Sequence, residues 1–245
     1  MKSLIILALY SIINIYSVTS QEIITFEAPD GLTITANLYE IDESYPYILL
    51  FHQARSSKGE YKDIAIKLLK LGYNCLAVDL RSGDNSNFIQ NETASQAVKL
   101  GLSTDYLDAE QDIKTAVEWA YKRSGKPIII FGSSYSASLC LKISKNDPRI
   151  KGVVAFSPGE HFKPNISMCD ELKGYLKPTF VASTQKETKY ISDMFLYVPT
   201  ETRTIFSPQN CEGEHGAKAL WKTSDCNQEY WLALLLFFKE FDTDK

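Results

Sequence analysis

From residue 45 onward the chain keeps one rhythm: a short, nearly continuous apolar run ends in turn residues, and a segment with helical spacing commonly follows. The runs are "YPYILLFH", "YNCLAVDL", "KPIIIFG", "IKGVVAFS", "KPTFVAST" and "ETRTIFS". The helical segments are the one in which Ile64, Leu68 and Leu71 recur, residues 105–123, "YSASLCLKIS", residues 187–195 and residues 227–240, where Trp231, Leu234, Leu235 and Phe238 share a face. A strand that is apolar along its whole length is buried on both faces, and parallel neighbours need a crossover between them. The rhythm predicts an α/β domain: a mostly parallel, twisted sheet with helices on both faces. Ahead of it, "EIITFEAPDGLTITANLYE" reads as two alternating runs joined at Pro29-Asp30-Gly31, an N-terminal antiparallel hairpin. Ligands bind open sheets of this kind beyond the carboxyl ends of the strands, so chemistry is expected after the strands ending near residues 52, 132, 157 and 184.

Nothing divides the 245 residues into two folding units: no repeat, charge block or Pro/Ser-rich linker interrupts them. The first twenty residues differ in kind. Lys2, an apolar run from Leu4 to Ile15 and the small-residue pattern Val18-Thr19-Ser20 have the build of a secretory signal peptide, with cleavage expected after Ser20 and residues 21–245 left as the domain. A single-pass anchor is the rival reading, but Tyr10, Ser11, Asn14 and Tyr16 interrupt the run. The expected destination is therefore periplasmic or extracellular, with no stable membrane insertion after cleavage. The net charge of −4 argues against nucleic acid or an anionic membrane as the main partner, and losing a leader that holds Lys2 and no acid makes it more negative. Of the five cysteines, Cys75 and Cys140 fall in apolar segments and read as core, whereas Cys211 and Cys226 flank a loop-like stretch around His215 and are the pair expected to bridge.

The run "KPIIIFGSSYSASLCLKIS" puts chemistry on this scaffold. Gly132 permits a tight reversal between strand and helix, the context of a G-x-S-x-G nucleophile elbow, which would expose the Ser134 hydroxyl at a helix N-terminus. The plain alternative is a helix capped by Ser133 or Ser134. Ser136 stands where the pattern has glycine. His215 lies between Gly213 and Gly216 in "EGEHGAKALW", on a loop able to reach over the strand ends. An imidazole, with an ordinary pKa of about 6.5, suits the removal of a serine proton near neutral pH. Nucleophile, acid, histidine is the chain order this chemistry uses on such a sheet.

With "FHQARSSKGEY", "VDLRSGD", "FGSSYSAS", "PTFVASTQKE" and "EGEHGAKALW" in that order, the chain resembles the α/β-hydrolases, and most of all the small dienelactone-hydrolase-like serine hydrolases. The resemblance implies an oxyanion hole from the backbone N–H groups of Gln53 and Tyr135. It implies an acid after "PTFVAST", at Glu187, with Glu160 in "FSPGEHF" as the alternative. His52 is read as a strand-end residue that holds the loop; His52, Arg55 and His161 are candidate substrate-lining residues. Asp79-Leu80-Arg81 resembles a structural motif of the family in which Asp and Arg pin the loop, and no chemistry is assigned to it. Asn91-Glu92-Thr93 and Asn165-Ile166-Ser167 have the form of glycosylation acceptors. No metal-ligating pattern and no cofactor motif is evident. Only about twenty residues separate the strand near Ser157 from the next, so no large cap is expected. The expected activity is hydrolysis of a carboxylic ester or related small acyl substrate through a Ser-His-acid triad. A catalytically silent binding protein, or a peptidase or acyltransferase with the same triad, are the other readings.

Overall fold

The computed structural model describes residues 21–242, so the expected signal peptide lies outside the described residues. One open sheet holds eight strands in the order β1-β2-β4-β3-β5-β6-β7-β8. They are β1 (Glu22–Glu27), β2 (Thr33–Tyr39), β3 (Tyr47–Phe51), β4 (Asn74–Val78), β5 (Ile128–Ser133), β6 (Ile150–Phe156), β7 (Thr179–Ala182) and β8 (Arg203–Phe206). The hairpin β1–β2 is antiparallel and β2 meets β4 antiparallel; from β4 across to β8 every pairing is parallel.

The central strands show why the apolar runs are continuous. Tyr47, Leu49 and Phe51 of β3 enter one core, and Ile48 and Leu50 enter the other. In β5, Ile128 and Ile130 take the first side, Ile129 and Phe131 the second. Helices α1 (Lys62–Lys70) and α7 (Asn227–Asp242) cover the second face. The first is covered by α2 (Glu92–Lys99), α3 (Ala109–Ser124), α4 (Tyr135–Ser144), the short α5 (Met168–Glu171) and α6 (Thr188–Met194). Strand order turns back at β3, with β4 on one side and β5 on the other, and α1 and α4 leave toward opposite faces. The loops after β3 and β5 thus diverge, which opens a crevice at the carboxyl edge.

Three details depart from the sequence reading. Leu71 ends α1 and is 39% exposed, so the buried stripe is Ile64, Ala65 and Leu68. Leu235 is only half-buried, and Phe237 joins Trp231, Leu234 and Phe238 inside. Helix α2 was not expected: its Asn91 cap accepts the Ala94 N–H at 2.8 Å, and Thr93 accepts the Thr35 N–H of β2 at 2.9 Å. Between β6 and β7 only α5 forms, without a large cap. Among the described residues no helix is long and apolar enough to cross a membrane.

Candidate active site

Ser134 sits at the tip of the β5–α4 turn with φ 60° and ψ −121°, a conformation that costs a non-glycine residue about 1–3 kcal/mol. The turn is held from three sides. The Ser134 N–H donates to Phe156 O of β6 at 2.8 Å. Gly132 admits no side chain, because a Cβ there would lie 2.5 Å from the Ala137 backbone. Ser136, in the place of the expected glycine, is buried and accepts the Ser133 N–H at 2.9 Å, with its own hydroxyl 2.7 Å from Phe51 O of β3. The extra hydroxymethyl group therefore ties the turn to the neighbouring strand.

His215 Nε2 lies 2.9 Å from Ser134 Oγ, and His215 Nδ1 lies 2.5 Å from Glu187 Oε1. Glu187 Oε2 accepts from Ser157 Oγ at 2.7 Å and from the Thr184 N–H at 3.0 Å. Burial raises the Glu187 pKa, but the bonds from His215, Thr184 and Ser157 outweigh it and leave the carboxyl below its ordinary value of 4.5. An ionised Glu187 only accepts, so it selects the tautomer with hydrogen on Nδ1 and leaves Nε2 free to accept from Ser134.

The His215 loop is fastened at many points. Cys211 and Cys226 form a disulfide with Cα atoms 6.2 Å apart, and Gln185 N–H donates to Glu212 O at 2.8 Å. Gly216 N–H reaches Ser157 Oγ at 3.0 Å, Ala217 N–H reaches Ser133 Oγ at 2.8 Å, and Trp221 Nε1 donates to Glu60 O at 2.8 Å. Cys75 and Cys140 are buried and free.

Other expected residues lie elsewhere or do other work. Glu160 is directed away from His215: its carboxylate accepts the N–H groups of Met168 and Cys169 at 2.8 and 3.2 Å and caps α5. The Gln53 N–H is not free for an oxyanion, because it donates to Glu60 Oε2 at 3.0 Å. The next amide, Ala54, and that of Tyr135 at the start of α4 form no hydrogen bond among the described residues. His52 does not line the site. It is fully buried, donates from Nδ1 to Gln53 O at 2.8 Å and accepts the Leu80 N–H on Nε2 at 2.9 Å; burial lowers its pKa.

Arg55 is exposed, at φ 54°, and lines a cleft of about 520 Å³ together with Ala54, Asp84, Lys99 and Tyr106. The Tyr106 ring stacks on Tyr135 at 4.4 Å and meets His161 edge-on at 6.4 Å. His161 is exposed; what burial its ring has, and then His215, hold its pKa below the ordinary value. Asp79 and Arg81 do not pair with each other: Asp79 binds Lys58 and Arg81 binds Asp30 and Asp112. Asn91 is buried, with its amide nitrogen 2.9 Å from Leu80 O, so the folded chain offers no glycosylation site there; Asn165 is exposed. Reading the sequence missed Ser157, the Ala54 amide and Tyr106. The sharp turn after β6 was the one local signal for Ser157.

In overall shape the chain is similar to the Pyrococcus furiosus esterase Pf2001, at 16% identity over 91% of this chain and 90% of that one, with a TM-score of 0.67. A dienelactone hydrolase from Anabaena variabilis ATCC 29413 superposes with a TM-score of 0.66, at 15% identity over 90% of this chain and 96% of the other. The Pyrococcus horikoshii acylaminoacyl peptidase matches 93% of this chain with 42% of its own length, at 13% identity and a TM-score of 0.65. No curated protein matches the chain in sequence. The sequence profile of the dienelactone hydrolase family matches residues 34–188, a span that holds Ser134 and Glu187 and stops short of His215. With more than half its length matched, the chain belongs to the dienelactone hydrolase family, within the α/β-hydrolase superfamily.

Proposed function

We propose that this hydrolase is a serine esterase acting on a carboxylic ester or related small acyl compound. The observation that carries the reading is the unbroken line Ser134 Oγ, His215, Glu187, with gaps of 2.9 and 2.5 Å. Ser134 Oγ attacks the acyl carbon while its proton passes to His215 Nε2, and Glu187 holds the resulting imidazolium. The developing oxyanion receives the Tyr135 N–H, at the positive end of α4, and the Ala54 N–H; each such donor contributes about 3–4 kcal/mol in the transition state. His215 then returns the proton to the departing alkoxide, and water, activated by the same imidazole, releases the acyl group.

The absence of a large cap between β6 and β7 supports small or externally presented acyl groups over long buried lipid chains. Export after cleavage at Ser20 belongs to the same proposal, and the Cys211–Cys226 bridge supports an oxidising compartment. The partner is a small acyl substrate and neither nucleic acid nor membrane. Turnover of short 4-nitrophenyl esters tests the reading: Ser134→Ala should lose at least about 1000-fold in kcat with an unchanged circular dichroism spectrum. Undiminished turnover would overturn the assignment of Ser134, and a parent chain that turns over no ester would return it to the silent-binding reading.

A further inference from the structure

Ser157 directly follows β6, is 1% exposed and sits at φ 50°, in the left-handed region that residues other than glycine rarely adopt. An observed outlier of this kind next to a site asks for a function. Its hydroxyl stands between two groups of fixed polarity. The Gly216 N–H, 3.0 Å away, can only donate, and the Glu187 carboxylate, 2.7 Å away at Oε2, only accepts when ionised. The single hydroxyl proton therefore goes to Glu187 and a lone pair to Gly216. Because Gly216 directly follows His215, one side chain fastens both partners of the Nδ1–Oε1 contact. The Ser157 N–H donates to Ala182 O at 2.7 Å, at the end of the strand that leads to Glu187, so its own backbone is fixed to the same frame.

We propose that Ser157 is a positioning residue for the Ser134–His215–Glu187 line, acting through its hydroxyl on Glu187 and on the His215 loop together. The inference rests on the serine-hydrolase reading above. Without the hydroxyl, Glu187 Oε2 keeps only the Thr184 N–H and the Gly216 N–H loses its acceptor. The carboxylate can then turn about its last torsion, and the loop can drift from Ser134. Ser157 approaches neither reacting atom, so substrate binding should be spared.

Two variants separate this role from a merely structural one. Ser157→Ala and Ser157→Gly both remove the hydroxyl, and only glycine relaxes at this φ. The expected result is a fall in kcat of about 10- to 100-fold, alike in both, with KM within about twofold of the parent and a higher Tm for the glycine variant. The low-field proton resonance of the His215 Nδ1–H should shift or broaden in both. If kcat recovers in Ser157→Gly along with Tm, or if both variants keep kcat within about twofold, the proposal is overturned. A parent chain that turns over no ester and takes no serine-directed label overturns the serine-hydrolase reading, and this inference with it.

Discussion

The carboxyl edge of the sheet is fastened by charge on one side and by hydroxyls on the other. After β3 and β4, Lys58 Nζ meets Asp79 Oδ2 at 2.6 Å with both groups at most 1% exposed, and Arg81 lies between Asp30 at 2.7 Å and Asp112 at 2.8 Å. After β5, β6 and β7 the fastening around the Glu187 carboxylate and the His215 imidazole comes from Ser133, Ser136, Ser157 and Thr184. Buried ion pairs are costly to desolvate and costly to break, and so suit a frame that has to hold loops in place. Hydroxyls satisfy buried amides without adding charge. That leaves the His215–Glu187 pair as the main local charge where a proton has to move.

The contrast gives predictions of decreasing size. Glu187→Gln should cost the most in activity, about 1000- to 10 000-fold in kcat, because an amide selects the wrong histidine tautomer; its Tm should change little. On the charged side the order reverses. Lys58→Met leaves Asp79 buried without its cation, which should cost about 3–5 kcal/mol and lower Tm by about 6–20 °C in a scanning calorimeter. Activity per folded molecule should fall far less than in Glu187→Gln. Equal losses of kcat in the two variants would dissolve the distinction between frame and site.

Acid should expose both sides together. Asp30 is held below 3.8 chiefly by its hydrogen bond from Arg81; Glu187 is held below 4.5 by donors that outweigh its burial. The folded chain therefore binds these protons more weakly than the unfolded chain. The stability they contribute is present above those ordinary values and is lost as pH falls through the lower folded ones. Tm should drop between about pH 5 and pH 3, with a shallower slope in Glu187→Gln. The smallest effect is expected at Ser136→Ala. It strands the Ser133 N–H at a cost of about 1–3 kcal/mol, yet Phe51 O keeps the Tyr61 hydroxyl at 2.8 Å and kcat should stay within about threefold.

Much of this was legible in the sequence because it is local. Two-sided apolar strands, helical spacing and the tight Gly132-Ser133-Ser134 turn are each written in fewer than twenty residues. Family resemblance added the pairing of His215 with Glu187. What escaped depends on distant segments meeting. Which of the Gln53 and Ala54 amides faces the crevice depends on Glu60 capturing the first of them. Ser157 matters because Glu187 and Gly216, 30 and 59 residues further on, converge on its hydroxyl. Helix α2 escaped for the same reason: it has few apolar residues, and Thr93 packs it against β2 by accepting a strand amide.

On the proposed function, Ser134 is a nucleophile held for reaction. Treating the purified chain with a fluorophosphonate and mapping the adduct by mass spectrometry tests it most directly. One phosphonyl group should appear on Ser134, be absent from Ser134→Ala and form far more slowly in Glu187→Gln. An unlabelled Ser134, or label that persists in Ser134→Ala, would contradict it.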